Sequence, residues 1–265
     1  MLKKVTLGQF FPGNTVVHKL DPRTKLILTV FYIVALFSAN NLYGHMLMLI
    51  ALLLSLYLSK IQPLMLLKGI RPVIILILIT AIINLLATPG DAVVEFWRIS
   101  ISREGIIASI FMASRLIMLI AGTFLLTYTT SPLTLTDGLE RLFSPLAAIK
   151  VPVHEMAMMM SIALRFIPTI IEETDKIMSA QKARGANLEV GSILKRMKAI
   201  VPIIIPLFVS AFRRADELAI AMESRCYHGG KGRTRMTVLR IAAMDYAALL
   251  LGALVLLAVI LLRGV

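Results

Sequence analysis

Two arginines, Arg184 and Arg225, stand forty-one residues apart at matching positions of a repeated pattern. The first copy runs from Asp175 through Ala180 to Ala183-Arg184-Gly185, and the second from Asp216 through Ala221 to Ser224-Arg225-Cys226. Asp, Ala and Arg align in both, each Asp is followed by a charged residue, and small residues flank each arginine. A guanidinium is always charged and offers a rigid fork of donors that pairs bidentately with carboxylates. Small neighbours let such a tip enter a groove. The chemistry on offer is therefore recognition of an acidic partner, presented twice. Asp175 and Asp216, nine residues upstream, fall on roughly the opposite helix side from the arginines and suit local packing or pairing.

Each copy also reads as a helix C-terminus. An Arg in the last turn is favourable against the helix dipole, and Gly just past the end is the common left-handed cap. The second copy speaks against capping alone, because Cys226 takes the left-handed conformation less cheaply than Gly185.

Other reactive groupings are weak. Gly229-Gly230-Lys231-Gly232-Arg233 lacks the phosphate-loop spacing and a preceding strand, and reads as a flexible basic linker. Glu172, Glu173 and Asp175 read as a solvated helix face, with Glu172 and Lys176 in the favourable i, i+4 order. His18, His45, His154 and His228 are scattered, and Cys226 is the single cysteine, which excludes an internal disulfide. No catalytic residue, cofactor or metal site is expected.

The elements that must position the two tips belong to a membrane protein. Of 265 residues, 58% are hydrophobic and 16% charged. Five apolar stretches, about 24–39, 42–59, 69–88, 106–129 and 242–262, approach the length that crosses a bilayer. The net charge of +13 lies between these stretches with few aromatics interleaved, so nucleic acid is not an expected partner. The start of the chain carries Lys3 and Lys4, but Gly8, Gln9, Pro12, Gly13 and Asn14 interrupt any signal-peptide run, so this segment is expected to be retained. Residues 1–25 hold five bases against one acid, residues 60–71 add Lys60, Lys68 and Arg71, and residues 89–105 hold two bases against three acids. The positive-inside rule places the N-terminus and residues 130–240 in the cytoplasm and Arg263 outside.

The predicted fold is an all-α polytopic membrane protein of about five transmembrane helices, with cytoplasmic amphipathic helices between the fourth and last spans. Its expected divisions are N-terminal transmembrane helices at 1–129, a coupling-helix region at 130–240 and a C-terminal transmembrane helix at 241–265. Within 130–240, Ser131-Pro132, Ser144-Pro145, Val151-Pro152 and Val201-Pro202 read as helix starts, while Pro168 and Pro206 should bend or restart a helix. A less favoured reading makes 156–171 and 199–212 a further pair of short spans. Arg115, inside the fourth span, should face protein or an aqueous cavity, with no partner evident from sequence. Met156, Met158, Met159 and Met160 span too wide an arc for one helix face, so some should point outward. They are either a buried stripe or an adaptable partner surface.

Over essentially its whole length the chain resembles the transmembrane T component of energy-coupling factor (ECF) transporters, the ABC-related class that takes up vitamins and metal ions. The resemblance rests on His18-Lys19-Leu20-Asp21-Pro22-Arg23-Thr24-Lys25 before the first span and on the two small-Arg-small signatures. The signature matches fully at Ala183, Arg184 and Gly185; at Ser224, Arg225 and Cys226 the flanks depart from Ala and Gly but stay small. The resemblance implies a non-catalytic, multi-pass cell-membrane scaffold. Its partners would be two cytoplasmic ABC-type ATPases, held through the six signature residues, and a separate substrate-binding S component, for which the methionine cluster is a candidate surface. Two other readings compete. A polyprenyl transferase would need paired carboxylates at span ends, where none is spaced correctly. A permease carrying substrate itself would need more polar groups within its spans than Asn84 and Arg115.

Overall fold

Apolar length and polar punctuation set the helices in the computed structural model, which describes residues 10–90, 92–96, 99–186, 193–230 and 239–263. In chain order these are α1 (Val16–Lys19), α2 (Pro22–Ser38), α3 (Leu42–Ser59), α4 (Pro63–Ile70) and α5 (Ile74–Ala87), the last two joined by a 3-10 turn, Arg71–Val73. A hairpin of β1 (Ala92–Phe96) and β2 (Ile99–Ser102) precedes α6 (Arg103–Thr129). Then come α7 (Pro132–Phe143), a 3-10 segment (Ser144–Ile149), α8 (Val153–Ala183), α9 (Ile193–Glu223) and α10 (Ala243–Leu262). Local chemistry explains the starts. Pro22 opens α2 behind Asp21, whose carboxylate accepts the Arg23 N–H, and the Ser102 hydroxyl accepts the Gly105 N–H at the head of α6.

Among the described residues, four helical stretches are long and apolar enough to cross a bilayer: Leu42–Ser59, Pro63–Ala87, Arg103–Thr129 and Ala243–Leu262. The first predicted span is α2, shorter at 17 residues. The chain is an all-α polytopic membrane protein. Two boundaries differ from expectation. The third span starts at Pro63 rather than near 69, because a 3-10 turn carries the helix through Arg71-Pro72. The 89–105 loop contains the β1–β2 hairpin, paired antiparallel from Ala92 opposite Ser102 to Phe96 opposite Ile99, in segments rich in Val, Ile and Phe. Lys3, Lys4 and residues 231–233 of the Gly-rich stretch lie outside the described residues.

The chain divides into two compact units. One comprises Gly8–Gly138 with Leu239–Val265. In it α6 packs against α2, α3, α4 and α5, while α10 packs against α2 and α3. Ala35, Leu36, Met48, Leu52, Met118, Ala121, Tyr128 and Val259 form its core. A Cβ on Gly122 would run into the Tyr32 ring, so glycine permits the close approach of α2 and α6 there. The charged motif before the first span becomes a buried lock. The Lys25 ammonium donates to the carbonyls of His18 (3.1 Å) and Thr129 (2.9 Å) and to the Thr130 hydroxyl. Arg23 forks onto both Asp21 oxygens at 3.0 Å. Asp245 accepts the backbone N–H groups of Asp21 and Ala242, each at 2.8 Å. The motif thus ties the end of α6 and the start of α10 to the head of α2. At the α2–α3 turn Arg115 finds its partner: its guanidinium donates to the Ala39 carbonyl, left without a helical N–H at the end of α2, at 2.6 Å. Asn41 of the same turn donates to the Leu262 carbonyl.

The second unit includes Leu139–Val238, with the end of α7, α8 and α9. His154 pairs with Glu140 at 2.8 Å near the head of α8. Both α8 and α9 run 31 residues without interruption. Pro168, Pro202 and Pro206 lie inside them: no helix restarts at Pro168 or Pro206, and the helix start expected at Val201-Pro202 is corrected. The physical reason is visible at Pro206. Without an N–H it orphans the Pro202 carbonyl, and Gln181 of α8 supplies a donor at 3.4 Å, a long hydrogen bond from the neighbouring helix.

Candidate functional site

The two arginine tips are the C-terminal ends of α8 and α9. Cross-helix contacts fix how these helices lie. Gln181 meets Pro202, while Glu173 meets Arg214 at 2.8 Å and also accepts from the Ser210 hydroxyl. As the α8 number falls the α9 number rises, so the pair is antiparallel and the tips point to opposite ends. Glu173 and Arg214 each precede their arginine tip by eleven residues, so the ion pair joins equivalent positions of the repeat. At 1.5 Å per residue each tip lies about 16 Å along its helix from that contact. The Ser210 hydroxyl first, and then the Arg214 guanidinium, hold the Glu173 carboxyl below the usual carboxylate range.

Both tips end in the same cap. After α8, Gly185 (φ +85°) donates to the Lys182 carbonyl and Ala186 to the Gln181 carbonyl, each at 3.0 Å. After α9, Cys226 (φ +55°) donates to the Glu223 carbonyl at 2.9 Å and Tyr227 to the Met222 carbonyl at 3.1 Å. Each set is a Schellman motif with the arginine as the C-cap. The expectation that Cys226 departs from capping is therefore corrected: cysteine adopts the left-handed conformation that glycine would take. Capping and exposure of the guanidinium coexist, because the cap uses backbone groups only. Ala183, Arg184, Gly185, Ser224, Arg225 and Cys226 are all exposed.

The left-handed backbone at Cys226 is strained. A left-handed non-glycine residue costs about 1–2 kcal/mol. Cys226→Gly should raise the thermal unfolding midpoint, and Gly185→Ala should lower it. A melting curve of detergent-solubilised protein reads both signs; a lower midpoint for Cys226→Gly would contradict the capping account.

The faces of the helix pair divide by chemistry. On α9, Ile203 is buried and Leu207, Ser210, Arg214 and Leu218 are half-buried, at helical spacing on one face. Another broad face exposes Met197, Ile200, Val201, Ile204, Ile205, Phe208, Val209 and Phe212. Their i, i+3, i+4 spacing makes this a continuous apolar stripe of more than four turns. By sequence, residues 199–212 read as an apolar run or a further short span; the repeated spacing is the signal that identifies a face. On α8, Met156, Met159 and Met160 are exposed and Met158 is half-buried. Among the described residues no three of His, Cys, Asp and Glu converge.

Fold and site together define a polytopic helical membrane protein that carries, between its fourth and last spans, an antiparallel helix pair with two like-capped arginine ends. A family model described as cobalt transport protein, CbiQ, matches residues 13–238. The energy-coupling factor transporter transmembrane protein EcfT of Clostridium kluyveri is 52% identical over 250 residues, covering 94% of this chain and 93% of that relative. The protein of the same name from Thermosediminibacter oceani is 49% identical over 247 residues, covering 93% of each. That of Acidaminococcus fermentans is 51% identical over 236 residues, covering 89% and 88%. The chain belongs to this family of transmembrane T components of ECF transporters.

Proposed function

We propose that the chain couples two cytoplasmic ABC-type ATPases to uptake of a vitamin or metal ion through a separate, membrane-embedded S component. The observation that carries this reading is the pair of exposed arginines on identical caps, equally far from the contact between their helices. A pair of like ATPase subunits presents two like grooves. Arg184 and Arg225 enter them as bidentate partners of carboxylates, with Ala183, Gly185, Ser224 and Cys226 small enough to clear the walls. Closure of the ATPases on ATP then moves both helix ends, and the helix pair passes that motion to the S component, which reorients and releases its cargo inside. Met156, Met158, Met159 and Met160, with the apolar face of α9, form the S-component surface; unbranched, polarizable methionines repack against different partners. Residues 130–240 act as the coupling region between the spans of 1–129 and that of 241–265. The positive-inside bias puts this region and the N-terminus in the cytoplasm and the C-terminus outside.

The test is affinity purification of the tagged chain from detergent extracts after co-expression with candidate ATPase subunits and an S component. Two ATPases and one S component should co-purify, and proteoliposomes of the complex should take up substrate with ATP. Recovery of the chain without ATPases, or uptake by the chain alone, would overturn the coupling reading.

A further inference from the structure

We propose that the Glu173–Arg214 pair is the fulcrum of α8 and α9, the contact that sets their register and thereby the separation of the two arginine tips. Glu173 accepts from the Arg214 guanidinium at 2.8 Å and from the Ser210 hydroxyl. Ser210 and Arg214 lie one turn apart on the inward face of α9, so two donors from one helix converge on a single carboxylate of the other. Ile203, Leu207 and Leu218 on the same face are aliphatic and tolerate sliding. The ion pair does not. A shift of one turn would place Arg214 against Thr169 or Ile170 in one direction and Lys176 or Ile177 in the other, and none of these is a carboxylate. One buried or half-buried polar contact among apolar ones is a known way for paired helices to specify register.

The side chains are partly wet, with Arg214 34% and Glu173 23% exposed, so the pair contributes little to stability and acts chiefly through direction. Each one-turn slip moves a tip by about 5.4 Å relative to the other helix, enough to spoil simultaneous docking at two fixed grooves. The Gln181–Pro202 bond is a second, longer tie between the same helices. Glu173 and Arg214 are positioning residues that act through Arg184 and Arg225.

The proposal rests on the coupling reading for its consequence in transport, but its geometric core is tested separately. In the reconstituted transporter, with Cys226→Gly as background, nitroxides are placed at Ser179→Cys and Ile220→Cys. Both positions are exposed, and each lies six residues beyond the fulcrum toward a tip. Pulsed electron resonance reads the distance between them. Glu173→Arg or Arg214→Glu alone should shift or broaden that distance by about one helical turn, 5 Å, and the double charge swap should restore it. Uptake per ATP hydrolysed should fall about 2- to 30-fold in the single variants and recover in the swap. Glu173→Gln, which keeps the shape but removes the charge, provides a milder variant should the reversals fail to assemble, and should broaden the distance less. An unchanged distance in the single variants overturns the fulcrum, as does a swap that fails to restore it. A shifted and restored distance with undiminished uptake supports the fulcrum and counts against the coupling reading instead.

Discussion

Reversing both tips, Arg184→Glu together with Arg225→Glu, is expected to release the ATPases and abolish uptake while the chain still inserts in the membrane. Breaking one close interfacial charge pair costs about 2–5 kcal/mol, or roughly 30- to several-thousandfold in affinity by the usual conversion. Reversal adds repulsion against the expected carboxylates. On the proposed coupling reading the two tips engage one partner pair, so losing both removes the benefit of bivalency and should detach the ATPases far more than either single change. Folding should survive, because the caps at both tips are made by the backbone N–H groups of Gly185, Ala186, Cys226 and Tyr227. Lysine at both positions keeps the charge but not the fork and should show a partial loss. Pull-down of ATPases and uptake in proteoliposomes measure the effect. A double reversal that keeps its ATPases and transports normally would remove the arginines from the coupling role.

The second large effect lies in the other unit and concerns stability. Asp245 is 2% exposed and accepts two backbone N–H groups beside Lys25 and Arg23. Asp245→Ala leaves those donors orphaned and the neighbouring cations short of a counter-charge, a change that costs about 3–5 kcal/mol. For a chain of this size that corresponds to a drop of about 6–20 °C in the unfolding midpoint. Asp245→Asn keeps one acceptor without the charge and should fall between. Differential scanning of the detergent-solubilised protein gives the answer, and a shift within about 2 °C for Asp245→Ala would show that Asp21, Arg23 and Lys25 hold the head of α2 without it. The same reasoning gives physical content to His18 through Lys25: their charges hold the ends of three helices together.

Features written in short stretches of residues were legible from the start. Apolar runs long enough to cross a bilayer became α3, the α4–α5 stretch, α6 and α10, because backbone groups in lipid are satisfied within one helix whatever its neighbours do. The arginine signatures ended helices as their capping chemistry required, and the paired copies ended alike. Elsewhere tertiary gain outweighs local cost. Cys226 accepts a left-handed backbone where two hydrogen bonds close the cap, and Pro206 stays inside α9 where a donor from α8 takes up the carbonyl its missing N–H leaves free.

Residues 18–25 announced a charged motif but not its partners, since Thr129, Thr130 and Asp245 are more than a hundred positions away. Arg115 likewise gained a partner only when the α2–α3 turn came beside α6. By itself the sequence determined where the long apolar spans and the two tips fall and what charge the tips carry, because spacing, capping and apolar length are local properties. Only the tertiary structure decided that α8 and α9 run antiparallel, that Glu173 meets Arg214 at equivalent positions of the repeat, and that the tips point apart at equal reach. Register between two helices depends on which side chains meet across them, and no spacing within either one records that.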